Sequence, residues 1–111
     1  MHSLIEDDKI LVSILFCRML FKKRYDDLLS EILTLMSERD GKSADIFSRI
    51  HRNQLIIYQA YNLFMQAKHP EATLKLSKFN PLFIDLFWRN SIMSDFEEIA
   101  GMINDGDKCN I

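Results

Sequence analysis

The sequence predicts an all-α fold of about six helices paired into three antiparallel hairpins, and three observations carry that prediction. Three Gly and two Pro in 111 residues are too few to punctuate the many tight turns of a sandwich or barrel, whereas long helices need little of either. Apolar residues recur at three- and four-residue steps over most of the chain, which is the helical period. One junction pattern occurs three times: a ring, two residues that are acidic or Pro, then two aliphatics four apart on one helix face. At 13.1 kDa, with 48% apolar and 27% charged residues, the chain has material for one packed core and no second. The expected organisation is a single helical domain over residues 1–111, ordered over about 8–103 and flexible over 104–111.

The first helix is expected from Asp8 to Phe21, where Ile10, Leu11, Ile14, Leu15, Met19 and Leu20 form the stripe and Asp7 or Asp8 supplies a cap. Lys22, Lys23 and Arg24 follow at its C-terminal end, where the helix dipole favours positive charge. A second stripe, Leu28, Leu29, Ile32, Leu33, Leu35 and Met36, runs to about Glu38. Asp40-Gly41-Lys42 is the clearest break, with Ser43 available to cap the next helix. From Ala44 to Ala67 no breaker occurs, which predicts a third helix of about 24 residues, roughly 36 Å long. Pro70 suits the first turn of a helix over about 70–79, because its missing N–H is one that a helix start leaves unpaired. Asn80-Pro81 repeats that signal before Leu82 to Asn90, and Ser94 or Asp95 is expected to open a last helix from Phe96 to about Ile103.

The junctions align as Lys23-Arg24-Tyr25-Asp26-Asp27-Leu28 with Ile32, Ala67-Lys68-His69-Pro70-Glu71-Ala72 with Leu76, and Ser94-Asp95-Phe96-Glu97-Glu98-Ile99 with Ile103. A ring wedged between two helices, with acidic residues at the dipole-positive start of the second, is what a tetratricopeptide hairpin needs, and the sequence resembles degenerate tetratricopeptide repeats. The rings Tyr25, His69 and Phe96 are spaced 44 and then 27 positions apart, against the regular 34. A plain antiparallel bundle accounts for the same residues. In the repeat register the first helix of each hairpin lines a concave face. Its inner positions are Ile10, Cys17 and Leu20 in the first hairpin, Gln54, Ile57, Tyr61 and Phe64 in the second, and Ile84 and Trp88 in the third. The expected partner-binding groove, Ile10, Leu20, Ile57, Tyr61, Phe64, Ile84 and Trp88, is apolar and aromatic, which suits an amphipathic helix as cargo. Each of these aromatic positions also has a plainer reading as core.

The stretches Asn62-Leu63-Phe64-Met65-Gln66-Ala67-Lys68-His69-Pro70-Glu71-Ala72 and Pro81-Leu82-Phe83-Ile84-Asp85-Leu86-Phe87-Trp88 resemble the YscG/PscG-type chaperones of type III secretion needle subunits. That resemblance implies a bacterial cytosolic chaperone. With a small helical co-chaperone, it would hold the needle subunit monomeric by gripping its amphipathic helix. The helix from Ala44 to Ala67 is longer than that family's usual counterpart.

Enzymatic chemistry finds little support in the sequence. His2, His51 and His69 show no metal-ligand spacing, and no Gly-rich phosphate loop exists, so no metal or cofactor is expected. Cys17 sits in an apolar run and reads as a small core residue, and the pairs Asp26/Asp27 and Glu97/Glu98 read as solvated helix starts. Fourteen basic against sixteen acidic side chains give no positive field for nucleic acid. The apolar run from Ile10 to Phe21 is too short to span a bilayer and follows Glu6, Asp7 and Asp8 rather than a basic signal-peptide start. Two cysteines 92 positions apart make no disulfide framework, so a soluble cytosolic protein is expected. The competing reading is a small helical regulatory or inhibitor protein docking on a larger host protein.

Overall fold

A computed structural model describes the backbone of residues 2–39 and 46–109 and the side chains of residues 12–36 and 49–106. Among these residues the chain is all-helical: α1 (His2–Lys23), α2 (Asp26–Arg39), α3 (Ile46–Met65), α4 (His69–Ser77), a one-turn 3-10 helix (Leu86–Trp88) and α5 (Arg89–Cys109). The expected break at Asp40-Gly41-Lys42 and the Ser43 cap lie outside the described residues.

Helix α3 is the centre of the structure, touching α1, α2, α4 and α5. Its burial reflects this: Leu55, Ile57, Tyr58, Ala60 and Tyr61 are all buried, so the helix is apolar around most of its circumference over these turns. Ile14, Cys17, Leu20 and Phe21 meet it from α1, Leu29 and Leu33 join from α2, and Ile92, Ile99 and Ile103 close the core from α5. At the middle of this core the Phe21 ring stands edge-on to Tyr61, with centroids 4.8 Å apart, and to Tyr58 at 5.9 Å. These are arrangements that the ring quadrupoles favour.

The α1–α2 and α3–α4 turns share one geometry. Arg24 and Ala67 both take the left-handed conformation, at φ 60° and 62°. The Arg24 N–H donates to Phe21 O (3.1 Å) and the Tyr25 N–H to Leu20 O (2.9 Å); the Ala67 N–H donates to Phe64 O (3.0 Å) and the Lys68 N–H to Leu63 O (3.0 Å). This is the Schellman ending, which satisfies the last carbonyls of the first helix. The second helix starts at once, because Tyr25 O accepts from the Leu29 N–H and Lys68 O from the Ala72 N–H. Equivalent atoms are therefore 43 positions apart, one fewer than the 44 between the Tyr25 and His69 rings. The shift moves the inward aliphatic of the first hairpin from Leu28, which is exposed, to Leu29, which is buried like its counterpart Ala72. Arg24 offsets the strain of its left-handed backbone with a 2.7 Å bond from Nη1 to Phe21 O and with its guanidinium 4.6 Å from the Phe21 ring centroid.

The third hairpin is not present. Leu82 to Asn90 does not form the expected helix: it is a connector of turns ending in the 3-10 helix, and α5 runs unbroken through Ser94 and Asp95 to Cys109. Asn80-Pro81 makes an Asx turn instead of a helix start, with Asn80 Oδ1 accepting from the Leu82 N–H at 3.0 Å. Asp95 has the residue type of a cap but sits inside the core, where its charge has tertiary partners. Phe96, expected as a wedge ring, stacks on Phe79 with centroids 4.8 Å apart, and Tyr25 points to solvent. His69 alone of the three rings packs at its junction, edge-on to Phe64 at 5.1 Å.

Two glycines lie within α5 in opposite surroundings. A Cβ at Gly101 would meet nothing within 4 Å, whereas one at Gly106 would come within 2.7 Å of the Phe64 ring and 3.4 Å of His69. Gly101→Ala is therefore expected to stabilise the protein by about 0.5–1 kcal/mol through helix propensity. Gly106→Ala is expected to destabilise it by about 1–3 kcal/mol, because the Phe64 ring must move against His69. Paired urea unfolding curves check both signs.

Candidate protein-binding surface

The strongest polar constellation is interior. Asp95 is fully buried on α5; the Tyr58 hydroxyl donates to its Oδ2 at 2.7 Å, Arg18 Nε lies 3.1 Å from Oδ2, and Lys22 Nζ lies 3.1 Å from Oδ1. Arg18 Nε and Asp95 Oδ1 lack hydrogen-bond alignment, so the cationic contacts act as charge contacts. Lys22 also reaches Glu98 at 3.6 Å, and Arg24 Nη2 donates to Glu98 Oε2 at 2.5 Å. That bond from Arg24 holds the Glu98 carboxyl below its ordinary value of 4.5, although partial burial opposes it. Burial and the neighbouring Asp95 charge push the Tyr58 phenol well up, so it stays a donor. This array joins α1, α3 and α5 around the buried Asp95 carboxylate, with Arg18, Lys22 and Glu98 partly in water. Tyr61 makes a parallel tie, donating to Asp26 Oδ1 at 2.6 Å, so Asp26 does more than face solvent at a helix start.

Cys17 is buried, and desolvation pushes its thiol up to about 12. A thiol so placed is protonated and inert. In a Cys109→Ser variant at about pH 8, iodoacetamide is expected to leave Cys17 unmodified until denaturant is added; mass spectrometry of labelling with time checks this. Among the described residues no cluster of three or more His, Cys, Asp or Glu is placed to hold a metal, and no helix is long and apolar enough to cross a membrane.

Six of the seven residues expected to line a concave groove lie in or against the chain's own core. Leu20, Ile57, Tyr61 and Ile84 are buried in the chain's own core, and Phe64 and Trp88 are half-buried against it. Ile10 belongs to α1, but its side chain lies outside the described residues. The physical reason is the central position of α3, whose apolar sides meet α1, α2, α4 and α5 of the same chain.

Apolar surface is offered elsewhere. On the connector, Leu82, Leu86 and Phe87 are 83%, 85% and 90% exposed. The segment is nonetheless fastened to α3. Asn53 Nδ2 donates to Asn80 O (2.8 Å) and Phe83 O (2.7 Å), Asn53 Oδ1 accepts from the Asn80 N–H (2.8 Å), and Gln54 Oε1 accepts from the Asp85 N–H (2.9 Å). Asp85 Oδ1 in turn caps the 3-10 helix by accepting from the Phe87 N–H at 2.9 Å. Ile84 anchors the same segment in the core. Beside it a shallow concavity of about 520 Å³ is lined by Arg49, Arg52, Asn53, Ile56 and Phe83, with the Arg49 guanidinium 5.7 Å from the Phe83 ring centroid. Buried amides thus hold rings and aliphatics out in water beside two cationic side chains. Leu82 and Phe87 fall in the segment expected as a helix, and the adjacent polar pair Asn53 and Gln54 on an otherwise apolar stretch of α3 is the signal in the sequence for this fastening.

A second apolar face lies on α1, where Val12, Phe16 and Met19, spaced four and three apart, are 64%, 42% and 41% exposed. No family model, curated protein or solved structure matches the chain.

Proposed function

We propose that this chain is a non-enzymatic protein-binding module that holds an amphipathic helix of a small partner against the connector and the adjoining concavity on α3. The observation that carries this reading is the fastening of Leu82, Leu86 and Phe87 in exposed positions by Asn53, Gln54 and Asp85. Exposed apolar side chains on a pinned segment lose little freedom when a partner covers them, which is how preorganised sites gain affinity. Arg49 and Arg52 beside Ile56 and Phe83 suit a helix with acidic side chains flanking its apolar face.

The finer form of the proposal is a tetratricopeptide-like stack serving as a bacterial cytosolic chaperone. It would act with a small co-chaperone to keep a type III secretion needle subunit from polymerising early. The two equivalent Schellman turns support the repeated-hairpin part, and the resemblance of residues 62–72 and 81–88 to YscG/PscG-type chaperones supports the cargo. On this reading the docking residues are Leu82, Phe83, Leu86 and Phe87, with Ile84 and Trp88 supporting them from beneath.

The test is affinity purification of the tagged chain from its native host, run beside a Phe87→Asp variant, followed by titration of the single Trp88 fluorescence with whatever small protein co-elutes. A small helical protein recovered in stoichiometric amount with the parent chain, lost with the variant and saturating the Trp88 signal, is the expected result; a needle subunit would be the finer form. Recovery of one large host protein would favour the regulatory reading, and equal recovery by the variant would remove the connector from the interface.

A further inference from the structure

We propose that the outer face of α1 pairs with the same face of a second copy of this chain, in an antiparallel two-fold dimer centred near Phe16. Ile14, Cys17, Leu20 and Phe21 face the core, while Val12, Phe16 and Met19 are left in water, so α1 carries apolar side chains on two opposed sides. A helix of this kind is ordinarily covered on both. The uncovered stripe has the alternating four- and three-residue spacing of a helix–helix seam.

Charge along α1 identifies the occupant. Glu6, Asp7 and Asp8 fall in its first third, and Lys22 and Lys23 in its last turn, followed by Arg24. Antiparallel pairing that sets Val12 against the second copy's Met19 brings together positions whose numbers sum to 31. Asp8 then lies in register with Lys23, the last residue of α1, while Arg24 beyond it is engaged with Glu98 and Phe21 O of its own chain. Lys9 falls in register with Lys22, whose ammonium is engaged with Asp95 and Glu98 inside its own chain. Parallel pairing would set acid against acid and base against base. The face is therefore complementary to itself under a two-fold axis, which is what an isologous interface requires. It is separate from the connector surface and does not depend on that surface having a partner.

Sedimentation velocity of the full chain over a range of concentrations tests the proposal. The expected species at about 100 µM in low salt has twice the 13.1 kDa chain mass, and raising salt from about 0.05 to about 1 M should weaken association as the end charges are screened. Phe16→Asp should raise the dissociation constant at least about 30-fold with an unchanged circular dichroism spectrum, since this side chain is not part of the core. Orientation is read by oxidation in a Cys109→Ser background. A mixture of Val12→Cys and Met19→Cys chains should cross-link to each other, while Val12→Cys alone should not, because its two copies would be too far apart for a disulfide. A monomer at all concentrations, a Phe16→Asp chain that still dimerises, or preferential Val12→Cys self-linkage would each overturn the proposal. So would a different small protein that takes the Phe16 face. Phe87→Asp should leave the mass unchanged, so loss of connector binding and loss of the dimer are read independently.

Discussion

Asp95→Ala is expected to destabilise the protein by about 3 kcal/mol or more, the largest loss from any single change to a polar side chain. The carboxylate is fully buried and holds Tyr58, Arg18 and Lys22 from two other helices. Removing one member of a buried charge cluster leaves the others desolvated without a counter-charge, which typically costs about 3–5 kcal/mol. Arg18 and Lys22 keep 29% and 37% of their side-chain surface in water, so solvent recovers part of the loss and the lower end of that range applies. The matching thermal shift is more than about 10 °C for a domain of this size. Tyr58→Phe removes one charge-assisted hydrogen bond and is expected to cost less, about 1.5–3 kcal/mol. A double-mutant cycle on Tyr58 and Asp95, read by urea denaturation, should give a coupling well above zero. Simple additivity would mean that the α1–α3–α5 array is not a unit.

Phe87→Asp is expected to weaken partner binding by at least about 2 kcal/mol, roughly 30-fold, while changing stability by no more than about 0.5 kcal/mol. The side chain is 90% exposed and contributes nothing to the core, so its substitution tests the interface without testing the fold. Asn53→Ala makes the complementary point. It removes three hydrogen bonds that fasten residues 80–83 to α3, so both stability and affinity should fall, the second because the connector must be ordered on binding. Titration of Trp88 fluorescence with the purified partner, beside unfolding curves of the two variants, separates the effects. Affinity unchanged by Phe87→Asp would move the interface away from the connector.

Much of the architecture was legible before any coordinates. The C-terminal end of α1 at Lys22-Lys23 and the start of α4, with Pro70 in its first turn, follow from charge and proline chemistry acting within a few residues, whereas α1 begins at His2 and not at an Asp7 or Asp8 cap. The helical runs follow from apolar spacing, and the repeated turn at Arg24 and Ala67 left a trace that comparison of the junctions found, displaced by one residue. The displacement arose because rings were used as the marker, whereas backbone conformation is what repeats.

The errors share one cause. Asp95 has the residue type of an N-cap, and no feature within ten positions reveals that Arg18, Lys22 and Tyr58 will surround it. Asn80-Pro81 reads as a helix start until Asn53, 27 positions earlier, takes its backbone groups. Ile57, Tyr61 and Ile84 belong to apolar stripes whichever way those stripes face, and periodicity is silent on whether a stripe meets a partner or a neighbouring helix of the same chain. Helix type and the turns at Arg24 and Ala67 were thus written in local chemistry, because hydrogen bonding, capping and side-chain entropy operate over one or two turns. Which stripe became core and which stayed in water depended on how α1 and α5 close around α3, because burial is a property of the assembled neighbours and not of the segment that carries the residue.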